Sequence, residues 1–84
     1  MLLLIAATAL PPEVAAFVER RGRCDHFRGE DSEDAERRAE IRHLLRENCA
    51  GTDAELRRLR ERYRDGAPAE ALRGFEDRVE PALR

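Results

Sequence analysis

From Pro12 onward, apolar residues recur at three- and four-residue intervals and charged residues fill the positions between them. No stretch alternates with period two, and β-branched residues are few: Ile5, Thr8, Val14, Val18, Ile41, Thr52 and Val79. That pattern predicts helices and argues against a sheet. Val14, Phe17 and Val18 form the stripe of a first helix. It opens near Pro12, where a missing N–H is harmless, and stops at Gly22. Arg23 to Asp31 has no period and reads as a loop with Phe27 tucked inward. Ile41, Leu44, Leu45 and Cys49 share one face of a second helix, from about Ser32 to Cys49, capped by Asp31 or Ser32. Glu33, Asp34 and Glu36 suit the positive end of its macrodipole. After Gly51, Thr52-Asp53-Ala54-Glu55 reads as a capping box. The third helix it opens runs to about Arg64, with Leu56, Leu59 and Tyr63 inward. Asp65-Gly66 stops that helix. Pro68 opens a fourth, whose Leu72, Phe75 and Val79 repeat the spacing until Pro81. The connections are short, so the predicted fold is all-α: three to four short antiparallel helices around one small core.

Composition makes that core thin. The chain has 84 residues, enough for one domain; 40% are charged, 5% aromatic, and there is no tryptophan. The predicted core is Val14, Phe17, Val18, Phe27, Ile41, Leu44, Leu45, Leu56, Leu59, Tyr63, Leu72, Phe75 and Val79. Domains of this size bury little of their surface and commonly need a covalent or metal tie.

The N-terminus suggests where such a tie would come from. Residues 1–9 are uncharged, apolar and then small, and Ala7-Thr8-Ala9 fits an A-x-A cleavage site. The expected organisation is a signal peptide over 1–9 and a helical domain over 10–84, placed in the periplasm or secreted. The apolar run is too short to span a bilayer. In an oxidising compartment Cys24 and Cys49, the two cysteines, read as one disulfide. It would close a loop of about 26 residues and contribute on the order of 3 kcal/mol. Free thiols and metal ligands are the other readings of the pair. The other reading of residues 1–9 is an uncleaved apolar element on an intracellular helical interaction module.

Charge and chemistry narrow the function classes. All 16 basic residues are arginine, against 18 acidic ones, for a net charge of -2. That balance is a poor match to nucleic acid, and the lack of lysine excludes Schiff-base and P-loop chemistry. Cys24, His26, His43 and Cys49 are the one set with zinc-ligand types, but C-x-H and H-x5-C match no common zinc spacing. Cys24 beside His26 lacks a glycine-rich anion nest for covalent catalysis. Asp25, Glu30 and Asp31 lack the calcium-loop order. No cofactor is expected, and the chain does not read as an enzyme. Helix 3 carries Arg57, Arg58, Arg60, Arg62 and Arg64. Asp53, Arg57 and Glu61 pair along it, leaving Arg58, Arg60, Arg62 and Arg64 unpaired within the helix. The expected binding surface is His26, Arg28 and Glu30 with Arg58 and Arg62, built from the Cys24 loop and the polar faces of helices 2 and 3.

Cys24-Asp25-His26-Phe27-Arg28-Gly29-Glu30, followed by Cys49-Ala50-Gly51-Thr52-Asp53-Ala54-Glu55-Leu56 and Tyr63, resembles small exported proteobacterial proteins of unassigned function. The resemblance covers roughly Phe17 to Phe75 and implies the same paired cysteines and helical fold. The chain is also similar, more faintly, to the N-terminal domains of LprI-type lysozyme inhibitors. Those are exported, helical and disulfide-bonded, with a cysteine before an Asp-x-x-Leu-Asn helix. Asp53 and Leu56 match that motif. Arg57 stands where that family has asparagine, and Tyr63 comes later than its tyrosine. The resemblance implies a class of function: binding another protein, such as a hydrolase of the lysozyme kind.

Overall fold

The computed structural model describes residues 9–83. The expected signal peptide, 1–9, lies outside them except for Ala9. The described residues form helices α1 (Pro12–Arg28), α2 (Ala35–Cys49), α3 (Thr52–Arg62) and α4 (Gly66–Arg73), then a 3-10 turn, Glu80–Leu83. There is no strand among them. The fold is all-α, and Cys24 and Cys49 are joined in a disulfide.

Helix α1 is the spine. Arg20 donates to the Glu47 and Ala50 carbonyls near the end of α2, while Glu30, just past α1, holds Arg37 near the start of α2. The two helices are therefore antiparallel. Along α3, Arg21 reaches Thr52, Arg20 reaches Glu55, and Glu13 accepts from Tyr63. That pairing is antiparallel too. The expected stop at Gly22 and the loop from Arg23 do not occur; α1 continues to Arg28. A glycine inside a helix costs about 1 kcal/mol relative to alanine. Continuation places Arg21 and Cys24 on the inward face, both fully buried, and those contacts outweigh the local cost. Asp34, rather than Asp31 or Ser32, caps α2, accepting from the Arg37 N–H at 2.8 Å.

The Thr52–Glu55 box also closes differently. Gly51, at φ 80°, takes the left-handed conformation that turns the chain between α2 and α3. Thr52 is buried inside the first turn, and its Oγ1 donates to the Cys49 carbonyl at 2.6 Å. The carboxylate serving the start of α3 comes from far along the chain: Glu80 Oε1 accepts from the Asp53 N–H at 3.0 Å.

The interior has two apolar clusters. Val14, Phe17, Leu56, Leu59 and Leu72 form the larger, with Leu10, Val18, Tyr63 and Phe75 packed against it. Cys24, Cys49 and Val79 form the smaller, with Leu45. Arg21, 0% exposed, is the largest fully buried side chain. On α1 it falls between Phe17 of the first cluster and Cys24 of the second. Its guanidinium donates to the Glu76 carbonyl at 2.6 Å and the Thr52 carbonyl at 3.4 Å. It lies 3.5 Å from the Asp53 carboxylate and 5.9 Å from the centre of the Phe17 ring. Its Nε has no hydrogen-bond partner among the described residues; the Asp25 carboxylate is 3.8 Å away.

The fourth helix ends at Arg73, short of the predicted Val79. The reason lies in its carbonyls. In a continuing helix, Leu72 and Phe75 would accept from N–H groups four residues on. Here Arg60 donates to both, at 2.8 and 2.7 Å. Arg21 takes the Glu76 carbonyl, and Asp53 accepts from the Val79 and Glu80 N–H groups at 2.9–3.0 Å. Side chains of α1 and α3 thus replace the ladder. The chain from 74 to 80 becomes a strap that carries Val79 across to the disulfide.

Two outcomes follow. Reducing the Cys24–Cys49 bridge removes a stabilisation of about 3 kcal/mol, a large share of what a small domain has. Thermal melts followed by circular dichroism should show a sharp drop, or loss of the transition, with reductant. Arg21→Ala leaves Asp53 and two carbonyls facing a vacancy, and should cost about 3–5 kcal/mol in urea unfolding, the range for breaking a buried pair.

Candidate binding surface

The surface residues expected from the sequence divide into two groups. His26 is exposed, with its ring edge-on to Phe27 and its Nε2 3.6 Å from Glu30. Arg28 donates to Asp25 at 3.0 Å and to Glu76 at 2.7 Å. Glu30 is held by Arg37. These three sit at the C-terminal end of α1, on helix and cap rather than on the loop expected around Cys24. Arg62 lies beside Glu13 and over the Tyr63 ring, at the opposite end of α1. Thirteen helical steps separate Glu13 from His26, roughly 20 Å. Arg58 is exposed, without an ion pair among the described residues. His43 is exposed on α2, 3.9 Å from Glu47. No three His, Cys, Asp or Glu residues converge among the described residues.

A different arginine set shares one concave surface. Arg57 and Arg60 lie one turn apart on α3, and Arg64 follows two residues past its end, beyond the extended Tyr63. With Glu61, Asp77 and Arg78 they line a groove of about 440 Å³ between α3 and the strap. A second hollow of about 560 Å³, bordered by Tyr63, Arg73 and Phe75, shares Arg60, Arg64 and Asp77 with it. The two form one trough.

Its charges are not equally available. Arg60 is committed to the Leu72 and Phe75 carbonyls and to Asp77. Asp53, at the groove floor, is committed to Arg21 and the strap N–H groups. Arg64 donates through Nε to the Glu61 carbonyl at 3.1 Å, and its exposed side chain has no ion pair among the described residues. Arg57 and Arg78 are exposed and have no hydrogen bond or ion pair among the described residues. Three guanidinium groups therefore face one uncommitted carboxylate, Glu61. The α3 part of this face, Arg57 and Arg60, is legible in the sequence as residues one helical turn apart. Arg78 is not, because only the strap's departure from the helix brings it there.

Comparison with protein-family models, curated proteins and solved structures finds no match to this chain. No described helix is long and apolar enough to cross a membrane.

At the trough's far end, Tyr63 donates its hydroxyl to Glu13 at 2.6 Å. That hydrogen bond, with desolvation and the Glu13 charge, raises the phenol above the ordinary tyrosine range; Arg62 opposes the shift. The neutral phenol is favoured in the folded chain. Its contribution is complete below the ordinary tyrosine value and disappears as the pH rises through the raised one. Tyr63 is the sole tyrosine and tryptophan is absent, so ultraviolet titration reads it cleanly. The midpoint should lie above that of free tyrosine and fall in Glu13→Gln.

Proposed function

We propose that this chain is an exported, non-catalytic protein-binding module acting in the periplasm or outside the cell. The observation that carries this reading is the Cys24–Cys49 bridge, whose residues are both 0% exposed and lie 5.0 Å apart at Cα. Bridges of this kind persist in oxidising compartments and stabilise small domains with thin cores. Leu10 packs against the larger cluster, so cleavage after Ala9 leaves the new N-terminus beside an anchored residue. The bridge also occupies both sulfurs that a zinc site at Cys24, His26, His43 and Cys49 requires as thiolates.

Protein binding is favoured by the arginine trough beside a helix that starts three residues after the bridged Cys49. Arginine is enriched at interfaces and in their energetic centres, and a preformed surface loses little entropy on association. The resemblance to lysozyme inhibitors nominates a hydrolase as partner.

Expressed with residues 1–9 in a Gram-negative host, the protein should be recovered from the periplasm. Its intact mass without reductant should be lower by those residues and by the two hydrogens of the bridge. A full-length, reduced product would overturn export. At micromolar concentration it should slow lysozyme; unchanged rates would remove lysozyme as the partner.

A further inference from the structure

We infer that the trough between α3 and the strap binds an acidic, extended segment of a partner protein, with Arg57, Arg64 and Arg78 receiving its carboxylates. This rests on the protein-binding reading and specifies the chemistry of its partner.

Three features select that occupant. The first is residual charge: after Arg60 and Asp53 are satisfied within the fold, three guanidinium groups oppose Glu61 alone. A guanidinium presents a planar fork of donors that fits a carboxylate in two parallel hydrogen bonds.

The second is spacing. Arg57 lies on α3 five residues before its end at Arg62, roughly 7.5 Å of helix axis, and Arg64 follows two residues past that end. About three residues of extended chain cover that length of axis. A short stretch with two or three Asp or Glu side chains therefore spans the trough. Arg78 lines the strap side of the groove, opposite the α3 arginines.

The third is the mixture of signs. Glu61 and Asp77 line the same groove, and the whole chain carries -2. A continuous polyphosphate would meet those carboxylates and an unfavourable overall field. A peptide of spaced carboxylates can pass them. The aliphatic stems of Arg57, Arg60 and Arg64 supply apolar wall for its backbone and methylenes.

The test uses decaglutamate as probe, titrated into the oxidised protein by calorimetry at low salt. Binding is expected, weakening several-fold as sodium chloride rises from about 20 to 200 mM. Arg57→Glu with Arg78→Glu should weaken it by about tenfold or more, a step equivalent to about 1.4 kcal/mol. Arg42→Glu with Arg46→Glu, two exposed arginines on α2, changes net charge equally and should leave binding within about twofold if the trough is the site. Arg57→Gln with Arg78→Gln repeats the test without charge reversal, and thermal melts confirm that each variant folds. The inference is overturned if the probe does not bind, if the α2 pair matters as much as the trough pair, or if oligothymidylate of equal length binds more tightly. Lysozyme inhibition measured beside the titration separates the two readings. Inhibition without peptide binding removes the trough alone, whereas peptide binding without inhibition removes lysozyme alone.

Discussion

A guanidinium removed from water must find acceptors for its donors, and Arg21 recruits them from distant parts of the chain. The Thr52 carbonyl, the Asp53 carboxylate and the Glu76 carbonyl converge on it from the start of α3 and from the strap. None would lie there without the others. Asp53 is positioned because the strap N–H groups of Val79 and Glu80 hold its carboxylate, and Glu80 in turn caps Asp53. A buried ion pair is weak evidence of net stability against an apolar replacement, but losing one member leaves the other stranded. The group therefore acts chiefly by making one arrangement of α1, α3 and the C-terminal segment far better than its alternatives.

The disulfide and Arg21 divide the work along α1. Arg21 ties the helix to α3 and the strap; Cys24, three residues on, ties it to the end of α2. Both lie on the inward face of an unbroken helix, so Gly22 must be helical for both to be reached. Val79 closes the arrangement, since the strap fixed by Asp53 delivers it against the two sulfurs. The apolar clusters are small because charged side chains do part of the joining.

This explains which features the sequence discloses. Apolar spacing identifies Val14, Phe17, Ile41, Leu56, Leu59, Leu72 and Val79, all buried in the fold. An even cysteine count and a thin core point to the bridge. Gly22, the Thr52–Glu55 box and the Leu72–Val79 spacing mislead for one physical reason: each is a local signal overridden by a contact distant in sequence. Gly22 is overridden by Arg21 and Cys24, the box by Glu80, and the last turn of the fourth helix by Arg60 and Asp53. Arg21 itself is invisible to a hydropathy pattern, which assigns every arginine to solvent. The charge pairing expected along α3 is overridden similarly: Arg62, expected to be unpaired, lies beside Glu13. Arg57, expected to pair with Asp53 and Glu61, has no ion pair among the described residues because Asp53 is taken by Arg21 and the strap.

The same override creates the trough. Had residues 72–79 stayed helical, their backbone groups would satisfy one another, leaving Arg60 and Asp53 to seek other partners. Breaking the helix instead spends two charged residues of α3 on backbone and lays Asp77 and Arg78 alongside the remaining arginines. Arg60 then serves both interior and surface: its guanidinium fastens the strap, and its side chain lines the groove with Arg57. The shape of the surface and the stability of the fold consequently share hydrogen bonds. Contacts that hold the strap in place also set the distance between Arg57 and Arg78, and with it the width of any ligand the trough accepts.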